Sequence, residues 1–191
     1  MRAGDGQGRA ASRVHLAAVA AIAVAAAVGV YAVGRAITPD YTVGLFGRRG
    51  IDAIVLKSQL ATVVLVLALA ATQLLLAAWM YGKLPALDAA PRPVRRIHRL
   101  VGLAAFVITV PIALHCLFAY GVQLTGSRVA VHSLAGCFFY GAFAAKVLVV
   151  RSRRLPGWAL PVAGGTLIVL IVVLWYTSAL WYYNGFRLPG M

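Results

Sequence analysis

The chain has 191 residues, of which 62% are hydrophobic and only 12% charged, and 18 Lys+Arg against 4 Asp+Glu give a formal net charge of +14. A water-soluble domain carries roughly 25% charged and 45–50% apolar residues, so this composition excludes one. A disordered basic tail is excluded by the apolar mass. A nucleic-acid binder would gather its cations into one face or stripe, whereas here they fall in short clusters between long apolar runs.

Five runs approach or exceed the roughly 20 apolar residues that cross a bilayer: 14–34, 53–80, 97–122, 130–150 and 159–183. An open strand cannot cross hydrocarbon with its backbone unpaired, and nothing alternates as barrel strands do, so the runs are expected to be helices. The predicted fold is an all-α, integral membrane bundle of five transmembrane helices. A short tail (1–13) precedes a single membrane domain (14–191).

The first run follows Arg9 and Arg13, as a signal peptide would. Its length and the lack of a small-x-small cleavage site before Arg35 favour a retained helix. Ala17, Ala21, Ala25 and Gly29 recur at four-residue spacing and predict a small-residue packing seam. Between the first two runs, 35–52 reads as an interfacial loop with Pro39, Gly44, Gly47 and Gly50. Gln59 and Gln73 on the second run are candidate interhelical hydrogen-bond partners. The segment 83–96 holds Pro85, Pro91 and Pro93 and suits a stiff connector.

Cations set the expected orientation. Arg2, Arg9, Arg13, Lys83, Arg92, Arg95, Arg96, Arg99, Lys146, Arg151, Arg153 and Arg154 fall on one side. Only Arg35, Arg48, Arg49, Lys57, Arg128 and Arg187 fall on the other. By the positive-inside rule the N-terminus is cytoplasmic and the C-terminus outside, as for a multi-pass protein of a bacterial inner membrane.

No Asp or Glu lies within any run, which argues against a proton- or cation-coupled transporter. The intramembrane ionisable groups are chiefly histidines. His115 lies on the third run and His132 on the fourth, both toward the outer end, and the short connection makes the two helices antiparallel neighbours. With the hairpin centred between residues 125 and 126, His115 falls opposite Gly136, one turn from His132, an offset of about 5.4 Å along the axis.

Neutral imidazole is a preferred ligand of haem iron, and helical bundles build such sites from facing side chains. His115 and His132 are thus candidate metal ligands of one haem b, with a second inner haem possible at His15 and His98. Gly136, together with Ala119 and Ala135, leaves room beside the ligands. Pro111 frees a carbonyl near residue 107 and can kink the third helix. Lys57 and Arg128, with Arg48 and Arg49, supply cations for propionates, and Trp175 and Phe118 lie at a depth suited to packing on the ring.

Other readings remain open. An intramembrane His also forms interhelical hydrogen bonds, worth about 0.6 kcal/mol on average, or takes part in another metal site or a proton relay. Zinc or copper normally wants three or four ligands, for which Cys116 and Cys137 would have to join the histidines. As buried thiols these two otherwise pack as small hydrophobes or bridge the hairpin. No Cys-x-x-Cys-His occurs, which excludes covalent c-type haem.

The strings His98-Arg99-Leu100-Val101-Gly102, Pro111 through Cys116, and Val131-His132-Ser133-Leu134-Ala135-Gly136-Cys137-Phe138-Phe139-Tyr140-Gly141 resemble an uncharacterised family of multi-pass membrane proteins from high-GC bacteria. The likeness extends from about Asp40 onward and includes Trp79-Met80-Tyr81-Gly82 and Leu155-Pro156-Gly157-Trp158. The His-bearing helices are more loosely similar to cytochrome b561 and ferric-reductase-like membrane domains, which carry b haems between helices. Those domains usually place paired His on each of two helices; here the fourth helix supplies one and the fifth none. The resemblance implies an electron-transfer subunit rather than a stand-alone enzyme, with lipid, redox-complex subunits, an outer-face redox protein and a quinone as partners. A cofactor-free accessory subunit is the alternative, and a small transporter a more distant one.

Overall fold

The computed structural model describes residues 3–152 and 155–188. Arg2, Arg153, Arg154 and the side chain of Arg9, all assigned to the inner side, lie outside what is described. Among the described residues the structure is helical, without strands; an isolated bridge joins Leu45 to Arg48. Five helices are long and apolar enough to span a membrane, at Ala11–Ala36, Gly50–Met80, Arg92–Tyr120, Ser127–Arg151 and Ala159–Tyr183. They coincide with the five predicted runs to within a few residues. The helix that holds the first span already begins at Ala3, inside the expected tail.

Val28, Leu67, Leu75, Val107 and Val169 all point outward. In water so much exposed aliphatic surface would aggregate; against lipid tails it costs nothing. Apolar burial therefore gives little drive between these helices, and close backbone approach and hydrogen bonds must hold them.

The chain divides into two compact units. The first comprises the first helix, the fourth helix and the fifth up to Leu174. Here the first and fourth helices pack along most of their length. Their ends are tied where the Val122 amide donates to the Gly34 carbonyl (2.9 Å) and the Arg35 guanidinium to the Val122 carbonyl (3.2 Å). Farther along, Gly141 lies directly against the Ala23 carbonyl, with Ala27 beside it. This pairing of early with late positions makes the two helices antiparallel.

The packed face of the first helix therefore runs through Ala23 and Ala27. Ala17, Ala21, Ala25 and Gly29, the predicted seam, are exposed, and nothing approaches Gly29. Alanine is spread around this helix, so four-residue spacing alone did not single out the packed face.

The second unit comprises residues 38–121 and the chain from Trp175 onward. Its second helix is α-helical over Gly50–Gln59, π-helical over Leu60–Ala70 and α-helical again over Ala71–Met80. The fifth helix likewise changes to π winding over Tyr176–Leu180. The second helix packs on the third, and its first turns pack on the π segment of the fifth. Gln73, buried, donates to the His98 carbonyl, and Gly102 leaves it the space to do so. Gln59 is exposed and does not serve the role expected of it. The Trp175 indole donates to the Thr62 hydroxyl (2.9 Å), so the π-wound stretch of the second helix is tied to the residue before the other.

Candidate functional site

Among the described residues, the buried polar side chains of the second unit are Ser58, Gln73, His115 and Thr177. His115 stands out because it is both ionisable and almost wholly enclosed, at 4% exposure. The third helix carries it one turn before Ala119, itself buried, and runs on through Pro111 as one helix from Arg92 to Tyr120.

Aromatic and cationic groups surround the imidazole. Its ring meets Tyr120 edge-on at 5.7 Å, and Tyr120 in turn meets Tyr41 at 5.9 Å. The Lys57 ammonium sits 4.5 Å from the Tyr120 ring centre, a cation–π contact, and acts electrostatically on His115. Lys57 is thus held within the cluster instead of reaching freely to the surface. The His115 Nδ1 atom is buried and has no hydrogen-bond partner.

The loop over 38–49 closes this end of the unit. The Asp40 amide donates to the Phe118 carbonyl (3.0 Å), docking the loop on the last turn of the third helix. Leu45 and Arg48 exchange backbone hydrogen bonds at 2.8 and 3.0 Å around Phe46 and Gly47, whose φ values are 48° and 78°. Two left-handed residues in succession are what a type I′ turn demands. The turn buries Leu45 and leaves Phe46 outside, while the Val43 backbone reaches His115.

Asp40 shapes the start of the loop. Its Oδ1 accepts from the Thr42 hydroxyl (2.7 Å) and the Thr42 amide (2.9 Å). Those bonds, the hydroxyl's first, hold the Asp40 carboxyl below its usual range. A carboxylate lowered in the folded state favours folding at neutral pH, and that contribution is lost as pH falls below about 3.9. Exchange protection of the Thr42 amide should therefore be present at pH 6 and disappear in acid, and Asp40→Ala should remove it at every pH.

The other candidate residues take different places. His132 and Gly136 lie on the fourth helix in the first unit, both half-buried, and a methyl group on Gly136 would make ordinary contact with Leu174 at 3.9 Å. Arg128, half-buried, opens the same helix. His15 is also in the first unit, its Nδ1 engaged with the Ala11 carbonyl at 2.7 Å. His98 belongs to the second unit and is half-buried. Among the described residues no three His, Cys, Asp or Glu side chains come together as a metal site. Cys116 and Cys137 are free thiols, so the hairpin disulfide does not form.

Two expected neighbours of the site are elsewhere occupied. Phe118 is exposed, and Trp175 is committed to Thr62. Conversely, Tyr41 and Val43 were not singled out in the sequence. A weak signal for the loop existed in Asp40-Tyr41-Thr42, where an Asp two residues before a Thr suits a side-chain-capped turn.

Five apolar spanning helices and a buried imidazole near the end of one of them define a multi-pass helical membrane protein. The chain belongs to a family of unknown function, DUF6529, whose model matches residues 14–190. No curated protein and no solved structure matches it.

Proposed function

We propose that this protein is a membrane-embedded, b-type cytochrome-like subunit that relays single electrons through a haem b near its outer face. The observation that carries the reading is the buried His115 imidazole with its unpartnered Nδ1. A polar atom left unsatisfied in an apolar interior costs about 1–3 kcal/mol. Haem iron is a partner that imidazole takes readily.

The chain's own residues have distinct parts in this reading. His115 is one axial ligand, steadied by the edge of Tyr120 and by the loop backbone at Val43. His132 is the opposite ligand, chosen from the hairpin register of the sequence. Lys57 and Arg128 are the cations for propionates, and Gly136 offers space beside His132. Bound haem b would supply a one-electron couple. The enclosing loop over 38–49 would keep water from the ligand. In this reading the N-terminus is inside, in a bacterial inner membrane, an orientation supported by the cation asymmetry of the sequence. Redox-complex subunits, an outer-face redox protein or a quinone then serve as donor and acceptor.

A second reading, a cofactor-free accessory subunit, is favoured by the contacts that Tyr120 and Lys57 already make around His115. A reduced-minus-oxidised absorption spectrum of protein purified from haem-replete cells separates the two. A b-type α band is expected, lost in His115→Ala and in His132→Ala and retained in His15→Ala. Absence of the band from the unaltered protein decides for the accessory subunit.

A further inference from the structure

A groove in the first unit remains outside the site just described. It runs between Leu16, Val19 and Ala20 of the first helix, Ala142 and Ala145 of the fourth, and Val162 of the fifth. Its volume is about 260 Å³ and its walls are almost wholly apolar. Ala20, Ala142 and Ala145 keep it open, because larger side chains at those places would fill it. In a bilayer the material that reaches such a groove is acyl chain, as apolar as leucine itself.

The groove has a polar end. Trp158, which also lines it, stands just before the fifth helix, where an amphipathic indole suits headgroup depth. Arg13 lies one turn before Leu16, and Lys146 lies four residues after Ala142 and three before Val149, hence on the groove side of the fourth helix. Arg151 occupies the last turn of that helix. The only acidic residue in the sequence of this unit is Asp5, two turns before Arg13. An uncharged lipid would use the apolar walls and leave the cations without a counter-charge.

We infer that this groove binds one acyl chain of an anionic phospholipid, with the lipid phosphate held by Arg13 and Lys146. Apolar shape and cationic rim act on different parts of the ligand, so they can be tested apart. Cations at a membrane surface each strengthen the hold on anionic lipid by about fivefold.

The test is native mass spectrometry of the full chain after exposure to equal amounts of phosphatidylglycerol and phosphatidylcholine. The unaltered protein should retain phosphatidylglycerol in preference. Arg13→Gln with Lys146→Gln should cut that preference by about fivefold per charge, the shape of the groove being unchanged. Ala142→Trp should abolish retention of both lipids, while Ala21→Trp, on the exposed side of the first helix, should change neither. Equal retention of the two lipids by the unaltered protein overturns the assignment. So does undiminished preference in the double charge variant, which decides the matter alone if Ala142→Trp does not fold. A dimer free of lipid would show instead that a second copy of the chain fills the groove.

Discussion

Replacing Gly141 by leucine should produce the largest loss of stability of any substitution in the first unit. Even a single added carbon would run into the Ala23 carbonyl, with Ala27 within 3.1 Å on the same side. Both obstacles belong to the packed face of the first helix, and one of them is backbone, so neither can be relieved by turning a side chain. Overpacking of this kind typically costs ~1–3 kcal/mol, and the larger side chain lies at the upper end or beyond. Titration of detergent-solubilised protein with a denaturing detergent should show the unit unfolding early in Gly141→Leu and measurably early in Gly141→Ala. Gly136→Ala is the control, since its added carbon finds Leu174 at an ordinary 3.9 Å. Equal stability of the two alanine variants would mean that the first and fourth helices do not approach as closely as described.

The contrast between these two glycines shows which kind of information the sequence held. Spans were legible because a bilayer sets a length, and about 20 apolar residues satisfy it whatever they pack against. The packed face was not, because in lipid both sides of a helix are apolar and the usual polar–apolar contrast is missing. On the first helix the packed face, marked by Ala23 and Ala27, lies nearly opposite the expected Ala21 and Ala25, about 160° around the axis at 100° per residue. Only the partner's Gly141 distinguishes them.

The candidate site divides in the same way. His115 was legible because acidic residues are missing from the spans, which leaves few ionisable groups in the membrane. What surrounds it was not, because it depends on a long-range contact, the Asp40 amide on the Phe118 carbonyl, between a loop and a helix end 78 positions apart. With that loop Tyr41 comes to the Tyr120 ring and the Val43 backbone to the imidazole. Lys57 was expected only as a cation near the outer end of its helix; its place over Tyr120 needed the two helices to meet.

Replacing His115 by leucine should change stability with a sign that identifies what the imidazole does. Suppose no cofactor is bound. The folded protein then carries a buried ring nitrogen without a partner, a cost of about 1–3 kcal/mol that an apolar side chain of similar size removes. His115→Leu should then be neutral or stabilising, and the edge contact with Tyr120 is its main loss. Suppose instead that His115 ligates haem. Binding to the folded state alone adds about 2.7 kcal/mol when the ligand stands at 100 times its dissociation constant. His115→Leu would forfeit much of that together with the α band, and the variant should unfold earlier than the parent in haem-replete preparations. The same denaturing titration on haem-depleted protein should then bring the variant level with the parent or above it, because the orphaned nitrogen is exposed as a cost once its partner is removed. A loss of stability of equal size with and without haem would contradict both readings and make His115 a packing residue whose shape, rather than whose nitrogen, the second unit requires.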